Sequence, residues 1–213
     1  MTYQVTAYRW VPPFAQGYVR DLRVRWALEE AGLPYEAVFV DGSTPGYRDW
    51  QPFGQVPAFR DTGVEMFESG AIVLHLADQS EALAPRDPAG RARVTAWVLA
   101  ALNSIEPFAQ NQIHFGEVPA GNAWAAERYA QAVAILDKRL GALSAWLGDK
   151  AWLEERFTAG DLIMTTVLRE LVDNGTLARF PNLAAYRERG EARPAFGRAM
   201  EAQMKPFREN APA

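Results

Sequence analysis

Cysteine is absent from the 213-residue chain, which excludes disulfides, cysteine metal sites and a thiol redox role for the protein's own side chains. Because there are only two histidines, His75 and His114, we expect no histidine-rich centre and no bound metal. His75 is expected to be a hydrogen-bonded core residue, and His114 to be structural or exposed. Any thiol chemistry must therefore use a sulfur that a ligand brings to the protein.

The chain also lacks an excess of basic residues and any long apolar run. Its formal net charge is −4 and its isoelectric point about 5.3, which argues against nucleic-acid binding through a general basic surface. Its apolar runs are too short to cross a bilayer, and its first residues lack the pattern of a signal peptide. We therefore expect a cytoplasmic protein with neither nucleic acid nor membrane as a partner.

Residues 1–80 alternate between strand and helix patterns, with turn signals between them. The predicted strands are 3–8, 35–40, 57–60 and 64–67, and the predicted helices are 22–31 and 69–79. Gly32 is expected to end the first helix, and Asp61–Gly63 to form the turn between the last two strands. The first two strands, with the helix between them, are expected to pair in parallel.

Residues 89–213 show no strand pattern, and their apolar residues recur at the three- and four-residue spacing of buried helices. Thr158 to Asp161 has the spacing of a capping box, with Asp in place of the usual Glu or Gln, and predicts the start of a buried helix. The proline-bearing residues 81–88 predict a linker. The expected domains are therefore 1–80, of α/β type, and 89–213, with five or six helices.

Pro57 interrupts the apolar segment Gln55–Phe59, although a proline lacks the N–H group that a central strand needs. A cis bond between Val56 and Pro57 would turn the chain and leave the backbone of Val56 to pair with another extended peptide. Ser69 stands at a predicted helix N-terminus, which favours a carboxylate, and Glu68 could hold an ammonium group. Together these features describe a site for a short zwitterionic peptide.

Each of these residues also has a plainer interpretation. Pro57 could lie on an ordinary edge strand, Ser69 could only cap its helix, and Glu68 could be a solvated charge. The order and spacing of the three favour the peptide site.

Several segments resemble the glutathione transferase superfamily. They are GQVPAF, ESGAIVLHLAD, LRVRWALEEAGLPYEAVFV, FTAGDLIMTTVL and FPNLAAYRERGEARPAF, and the resemblance covers essentially the whole chain. It implies an α/β thioredoxin-like amino-terminal domain followed by an all-α helical domain, a homodimer, and glutathione as co-substrate.

The resemblance also implies roles for the residues of the peptide site. Val56 would bind the cysteinyl backbone of glutathione beside Pro57, which would be the family's cis-proline. Glu68 and Ser69 would hold the γ-glutamyl end, and Gln55 would assist at the glycyl or cysteinyl backbone.

Three groups are candidates for stabilising the glutathione thiolate. The family usually places a Tyr, Ser or Cys after the first strand, whereas residues 10–20 contain no serine, threonine or cysteine. Tyr18 is our candidate for the hydrogen-bond donor, with Arg20 as an electrostatic helper. Tyr8 at the end of the first strand is the rival, and backbone N–H groups are the third possibility, in which Tyr18 only packs.

The electrophile is expected to bind between the domains, where ligand clefts commonly form. The candidate lining residues are Trp10, Phe14, Asn103, Glu106 and Phe115. The polar residues before Pro107 could also be a kinked helix end in solvent. The expected function is a detoxifying glutathione transferase that acts on a small, largely apolar electrophile. The alternatives are a non-catalytic interaction or adaptor protein of the same fold and a glutathione-dependent isomerase or peroxidase.

Overall fold

The computed structural model describes residues 3–119 and 122–212, and the chain forms two compact units. The first unit consists of residues 1–91 and 191–213, and the second of residues 92–190. The end of the chain is therefore part of the unit that its beginning forms. The predicted domain boundary at 81–88 stays a prediction.

A four-stranded sheet in the order β2-β1-β3-β4 forms the centre of the first unit. Its strands are β1 (Tyr3–Ala7), β2 (Tyr35–Phe39), β3 (Ala58–Arg60) and β4 (Glu65–Phe67). β1 and β2 are parallel, whereas β3 is antiparallel to both β1 and β4. Each strand is one residue shorter than predicted, which is the usual uncertainty at the end of an element.

The helices of the first unit are α1 (Asp21–Ala31), α2 (Tyr47–Trp50), α3 (Ser69–Gln79) and α9 (Pro194–Glu209). α1 ends at Gly32 as predicted, and Gly32 takes the left-handed conformation (φ 66°) that glycine adopts without a steric cost. α3 has the predicted bounds. α2 lies in the predicted loop, because a single turn of helix is too short to leave a periodic pattern.

The helices of the second unit follow one another with short connections. They are α4 (Pro88–Leu99), which begins in the first unit, a π-helical segment (Ala100–Ile105), α5 (Glu106–Gly116), α6 (Ala123–Leu147), α7 (Ala159–Arg169) and α8 (Pro181–Glu191). Their buried faces carry the apolar residues of the predicted helical pattern, among them Val98, Leu136 and Leu140.

The π-helical segment lies immediately before Pro107, where the sequence places polar residues on an apolar helix. A proline has no N–H group to donate to the carbonyl four residues earlier, here that of Asn103, so an α-helix cannot continue regularly across it. A wider π turn is one way to pass such a position. The carbonyl of Ser104 accepts a hydrogen bond from Arg139 Nη1 (3.1 Å).

The capping box at the start of α7 is confirmed. Thr158 Oγ1 accepts from the backbone N–H of Gly160 (3.2 Å), and Asp161 Oδ2 accepts from the backbone N–H of Thr158 (2.9 Å). These bonds satisfy backbone donors that a helix start leaves unpaired. The helix that follows is buried from Ala159 to Leu168.

Candidate functional site

Side-chain hydroxyl groups hold the segment from Gln55 to Ala58. Tyr47 Oη donates to the carbonyl of Gln55 (2.6 Å), so its single proton is used there and the Thr6 hydroxyl must donate to Tyr47 Oη (2.8 Å). Thr6 Oγ1 in turn accepts from the backbone N–H of Ala58 (2.6 Å). The peptide bond between Val56 and Pro57 inside this segment is cis. β1 and α2 therefore fix both sides of the segment.

Tyr8, the first residue after β1, contacts the same segment. Its half-buried ring packs against the cluster of buried residues that includes Tyr47, Val56 and Ala58. Burial, the largest effect, raises the pKa of Tyr8; the backbone of Val56 lowers it and the negative charge of Asp21 raises it further. Tyr8 is therefore a neutral phenol at pH 7, with a proton that it can donate.

Glu68 and Ser69 lie where β4 passes into α3. Glu68 is exposed and has a φ of 71°, a left-handed conformation that residues other than glycine seldom adopt. Ser69 is the first residue of α3 and is 4% exposed. Arg23 Nη1 lies 3.5 Å from Ser69 Oγ, at the long limit of a hydrogen bond. A guanidinium and a helix N-terminus therefore meet at Ser69, and both favour an anion.

Arg23 is a candidate that the sequence did not reveal. It is 3% exposed, although arginine is seldom buried so completely without a charged or hydrogen-bonded neighbour. The available signal was a pair of arginines, Arg23 and Arg25, inside a stretch of α1 that is otherwise apolar. That pattern indicates buried charge, but Ser69, the residue that Arg23 faces, lies 46 residues away in the sequence.

The remaining candidates of the first unit lie around the turn that leads into α1. Tyr18 is half-buried, and its backbone N–H bonds to the carbonyl of Ala15 (3.1 Å). Arg20 is exposed and directly precedes α1. Trp10 is half-buried, whereas Phe14 is 84% exposed.

Gln55 is exposed, and its backbone N–H donates to Gln51 Oε1 (3.2 Å).

In the second unit, Asn103 is exposed in the π-helical segment and Glu106 is buried at the start of α5. Phe115 is half-buried and packs edge-on against Trp124. These positions leave the electrophile pocket a prediction.

The two histidines differ in their surroundings. His75 Nε2 lies 2.7 Å from Asp61 Oδ2, and the His75 side chain is 27% exposed, so it is hydrogen-bonded as expected but not in the core. Burial, the largest effect, would raise the pKa of Asp61, but hydrogen bonds from His75 and the turn backbone hold that pKa below its usual range. His114 is exposed.

In the part of the chain that the structure describes, no group of three or more His, Asp or Glu side chains could hold a metal ion. No helix within residues 3–119 or 122–212 combines the length and apolarity needed to span a membrane.

Comparison with known proteins gives consistent matches. Residues 5–78 match the family model described as glutathione S-transferase, N-terminal domain. Glutathione S-transferase 3 of Zea mays is 30% identical over 202 residues, covering 85% of this chain and 88% of the relative. The disulfide-bond oxidoreductase YfcG of Escherichia coli is 28% identical over 194 residues, covering 81% and 86%. A glutathione transferase from Burkholderia graminis, solved with two glutathione molecules bound per subunit, has a TM-score of 0.81 and 26% identity, covering 94% of this chain and 88% of that one.

Proposed function

The chain belongs to the glutathione S-transferase family, and from that membership we propose that it binds glutathione, stabilises its thiolate and transfers the sulfur to a small, largely apolar electrophile. In the proposed reaction the thiolate forms a bond to an electrophilic carbon, and the leaving group departs with the electron pair of the broken bond. We further propose that it acts as a homodimer in the cytoplasm.

Glutathione binding is proposed at the segment from Gln55 to Pro57 and at the start of α3. The backbone of Val56 would pair with the cysteinyl residue, and Gln55 would assist. Ser69, the helix N-terminus and Arg23 would receive the γ-glutamyl carboxylate, and the exposed carboxylate of Glu68 would receive its ammonium group. The Burkholderia graminis relative was solved with glutathione bound, which supports glutathione as the ligand.

Thiolate stabilisation is the main energetic task of the proposed enzyme. A free thiol has a pKa of about 8.5, and lowering it by two units takes roughly 2.7 kcal/mol of selective stabilisation. A hydroxyl hydrogen bond and nearby helix N-termini can supply energy of that order. Tyr18, Arg20 and the backbone N–H groups before α1 remain candidates.

The observation that carries the proposal is the position of Tyr8, which packs against the buried cluster that contains Val56 and Ala58. It puts a protonated phenol next to the backbone that would bind the cysteinyl residue. We therefore propose Tyr8 as the donor to the thiolate. On the first unit, Trp10 and Phe14 are proposed to contact the electrophile.

Glutathione-dependent disulfide reduction is the second candidate, favoured by the likeness to the disulfide-bond oxidoreductase YfcG. Because the chain has no cysteine, both thiols must come from glutathione. Two glutathione molecules would reduce one disulfide to two thiols and leave as glutathione disulfide, which balances electrons and protons.

The first experiment measures binding of the full chain to immobilised glutathione, then conjugation of a chloronitrobenzene and reduction of a small disulfide. Tyr8→Phe should bind glutathione but raise the pKa of the bound thiol by about one unit, because one donor to the thiolate is lost. Tyr18→Phe is the direct competitor, and Tyr129→Phe, on the exposed side of α6, is the control.

Three outcomes would overturn parts of the proposal. An unchanged thiol pKa in Tyr8→Phe would remove Tyr8 as the donor. Disulfide reduction without conjugation would select the second candidate. A chain that takes up no glutathione at millimolar concentration would favour the non-catalytic interaction protein.

A further inference from the structure

The last helix of the chain, α9, packs along α1 within the first unit. Near the start of α9, Arg193 binds both carboxylate oxygens of Glu30 (2.6 and 2.8 Å), and Arg198 Nε binds Glu29 Oε2 (2.7 Å). Phe196 packs edge-to-face on Trp26, with ring centroids 4.9 Å apart. All of these contacts are at the C-terminal half of α1.

At the other end of the helix pair, Gln203 reaches the start of α1. It lies ten residues after Arg193, and Asp21 lies nine residues before Glu30. At a rise of about 1.5 Å per residue, the separation is about 15 Å along α9 and about 13.5 Å along α1. The two distances agree, as expected for two antiparallel helices in contact along this length. Gln203 is therefore held at a fixed place opposite the turn that precedes α1.

Gln203 Nε2 donates to two acceptors on either side of Arg20. One is the carbonyl of Val19 (3.0 Å), and the other is Asp21 Oδ1 (2.6 Å). Gln203 and Asp21 are each 1% exposed. The other carboxylate oxygen of Asp21 accepts from Arg25 Nε (2.7 Å), so Asp21 keeps a charged partner of its own.

Packing alone does not account for a glutamine at this position. Its Oε1 is buried and accepts no hydrogen bond from the described residues. An unsatisfied buried carbonyl is unfavourable, and an apolar side chain of the same volume would avoid that cost. What the glutamine supplies is the pair of bonds from Nε2.

We propose that Gln203 is a positioning residue for the proposed thiolate chemistry, because it fixes the backbone and carboxylate around Arg20 at the start of α1. This inference rests on the proposed function. Of the groups assigned to glutathione binding, Val56 and Ser69 lie on other elements, and Arg23 lies on α1 beyond the two residues that Gln203 binds. Gln203 is therefore proposed to act mainly on ionisation of the bound thiol rather than on glutathione affinity.

The test uses Gln203→Met in the full chain, which keeps the side-chain volume and removes the amide donor. We expect the dissociation constant of glutathione to change less than about twofold, and the ionisation constant of the bound thiol to weaken about tenfold, or about one pKa unit, because the groups around Arg20 are no longer held in place. The readouts are glutathione titration and the ultraviolet absorbance of the thiolate as a function of pH. If Gln203→Met does not fold, Gln203→Asn replaces it, because its shorter amide cannot span both acceptors.

Arg198→Ala is the matched control, since it removes another contact between α9 and α1 without touching Val19 or Asp21. It should leave thiol ionisation unchanged. An unchanged ionisation constant of the bound thiol in Gln203→Met overturns the inference. It is also overturned if Arg198→Ala weakens thiol ionisation as much as Gln203→Met does, because the effect would then come from the packing of α9 on α1 in general.

Amide hydrogen exchange separates this inference from the proposed function. In Gln203→Met, but not in Arg198→Ala, the amides of residues 20–23 should exchange about tenfold faster. If the native chain takes up no glutathione, the proposed function and the role of Gln203 in thiol ionisation are both wrong. The hydrogen-exchange result still decides whether Gln203 fixes the turn before α1. Unchanged exchange together with unchanged ionisation overturns the positioning role altogether.

Discussion

Replacing Asp161 with alanine should destabilise the protein more than any exposed carboxylate replacement. Asp161 is 0% exposed, and its two oxygens accept from the backbone N–H groups of Leu153 (2.8 Å) and Thr158 (2.9 Å) and from Tyr186 Oη (2.9 Å). Alanine leaves the two backbone donors without this acceptor, and it leaves Tyr186 Oη with only the backbone carbonyl of residue 161, at 3.5 Å. Each such donor costs about 1–3 kcal/mol.

The free energy needed to bury the Asp161 carboxylate reduces the total loss of stability expected from the unsatisfied donors. Burial raises the pKa of Asp161, because moving its carboxylate out of water costs free energy in the folded state. The alanine variant does not have this cost. We therefore expect a loss of about 4 kcal/mol in the free energy of unfolding. That is a large part of the roughly 5–15 kcal/mol that stabilises an ordinary domain.

The measurement is urea unfolding followed by far-ultraviolet circular dichroism. The control is Asp137→Ala, which removes a partly exposed carboxylate paired with Arg179 and should cost less than about 1 kcal/mol. Asp161→Asn keeps one oxygen acceptor and should fall between the two. If Asp161→Ala and Asp137→Ala differ by less than about 1 kcal/mol, the reasoning from unsatisfied donors is wrong.

Three further predictions concern the first unit. Ser69→Ala should weaken glutathione binding about three- to tenfold in calorimetric titration, through one lost hydrogen bond; an unchanged affinity would mean that Ser69 only caps α3. Thr6→Val should cost about 2 kcal/mol in urea unfolding, because it removes the acceptor of the buried Ala58 N–H; a cost near zero would contradict the assigned network. Asp61 has a lowered pKa in the folded state, so its stabilisation is present above its ordinary pKa of about 3.9 and is lost as the pH falls through the lower, folded value. The stability difference between native protein and Asp61→Asn should therefore be full at pH 7 and shrink below about pH 4, and a difference independent of pH would refute the assignment.

Local patterns account for what the sequence predicted correctly. The strands, α3 and the capping box of Thr158 and Asp161 each depend on residues within one turn or one hairpin, so their spacing carries the information. The order of such elements predicts an α/β unit and a helical region, and the resemblance to the family implies that the first is thioredoxin-like. The resemblance added the expectation of glutathione chemistry, which composition could not supply.

Contacts between distant residues account for what was missed. Arg23 reaches Ser69 across 46 residues, and Gln203 reaches Val19 across 184, and no local pattern records either pair. Strand alternation cannot decide which way the Tyr8 side chain faces. β1 ends at Ala7, so Tyr8 lies just beyond the range where alternation applies.

The discontinuous first unit has a consequence for the order in which the protein is made. A ribosome releases residues 1–91 long before α9, so the sheet must wait, without its last helix, for the rest of the polypeptide to be synthesised. Residues 92–190 are contiguous and helical, and such nearby contacts form fast, so they can fold while the nascent chain is still growing. The first unit is therefore completed only after the second unit has been synthesised.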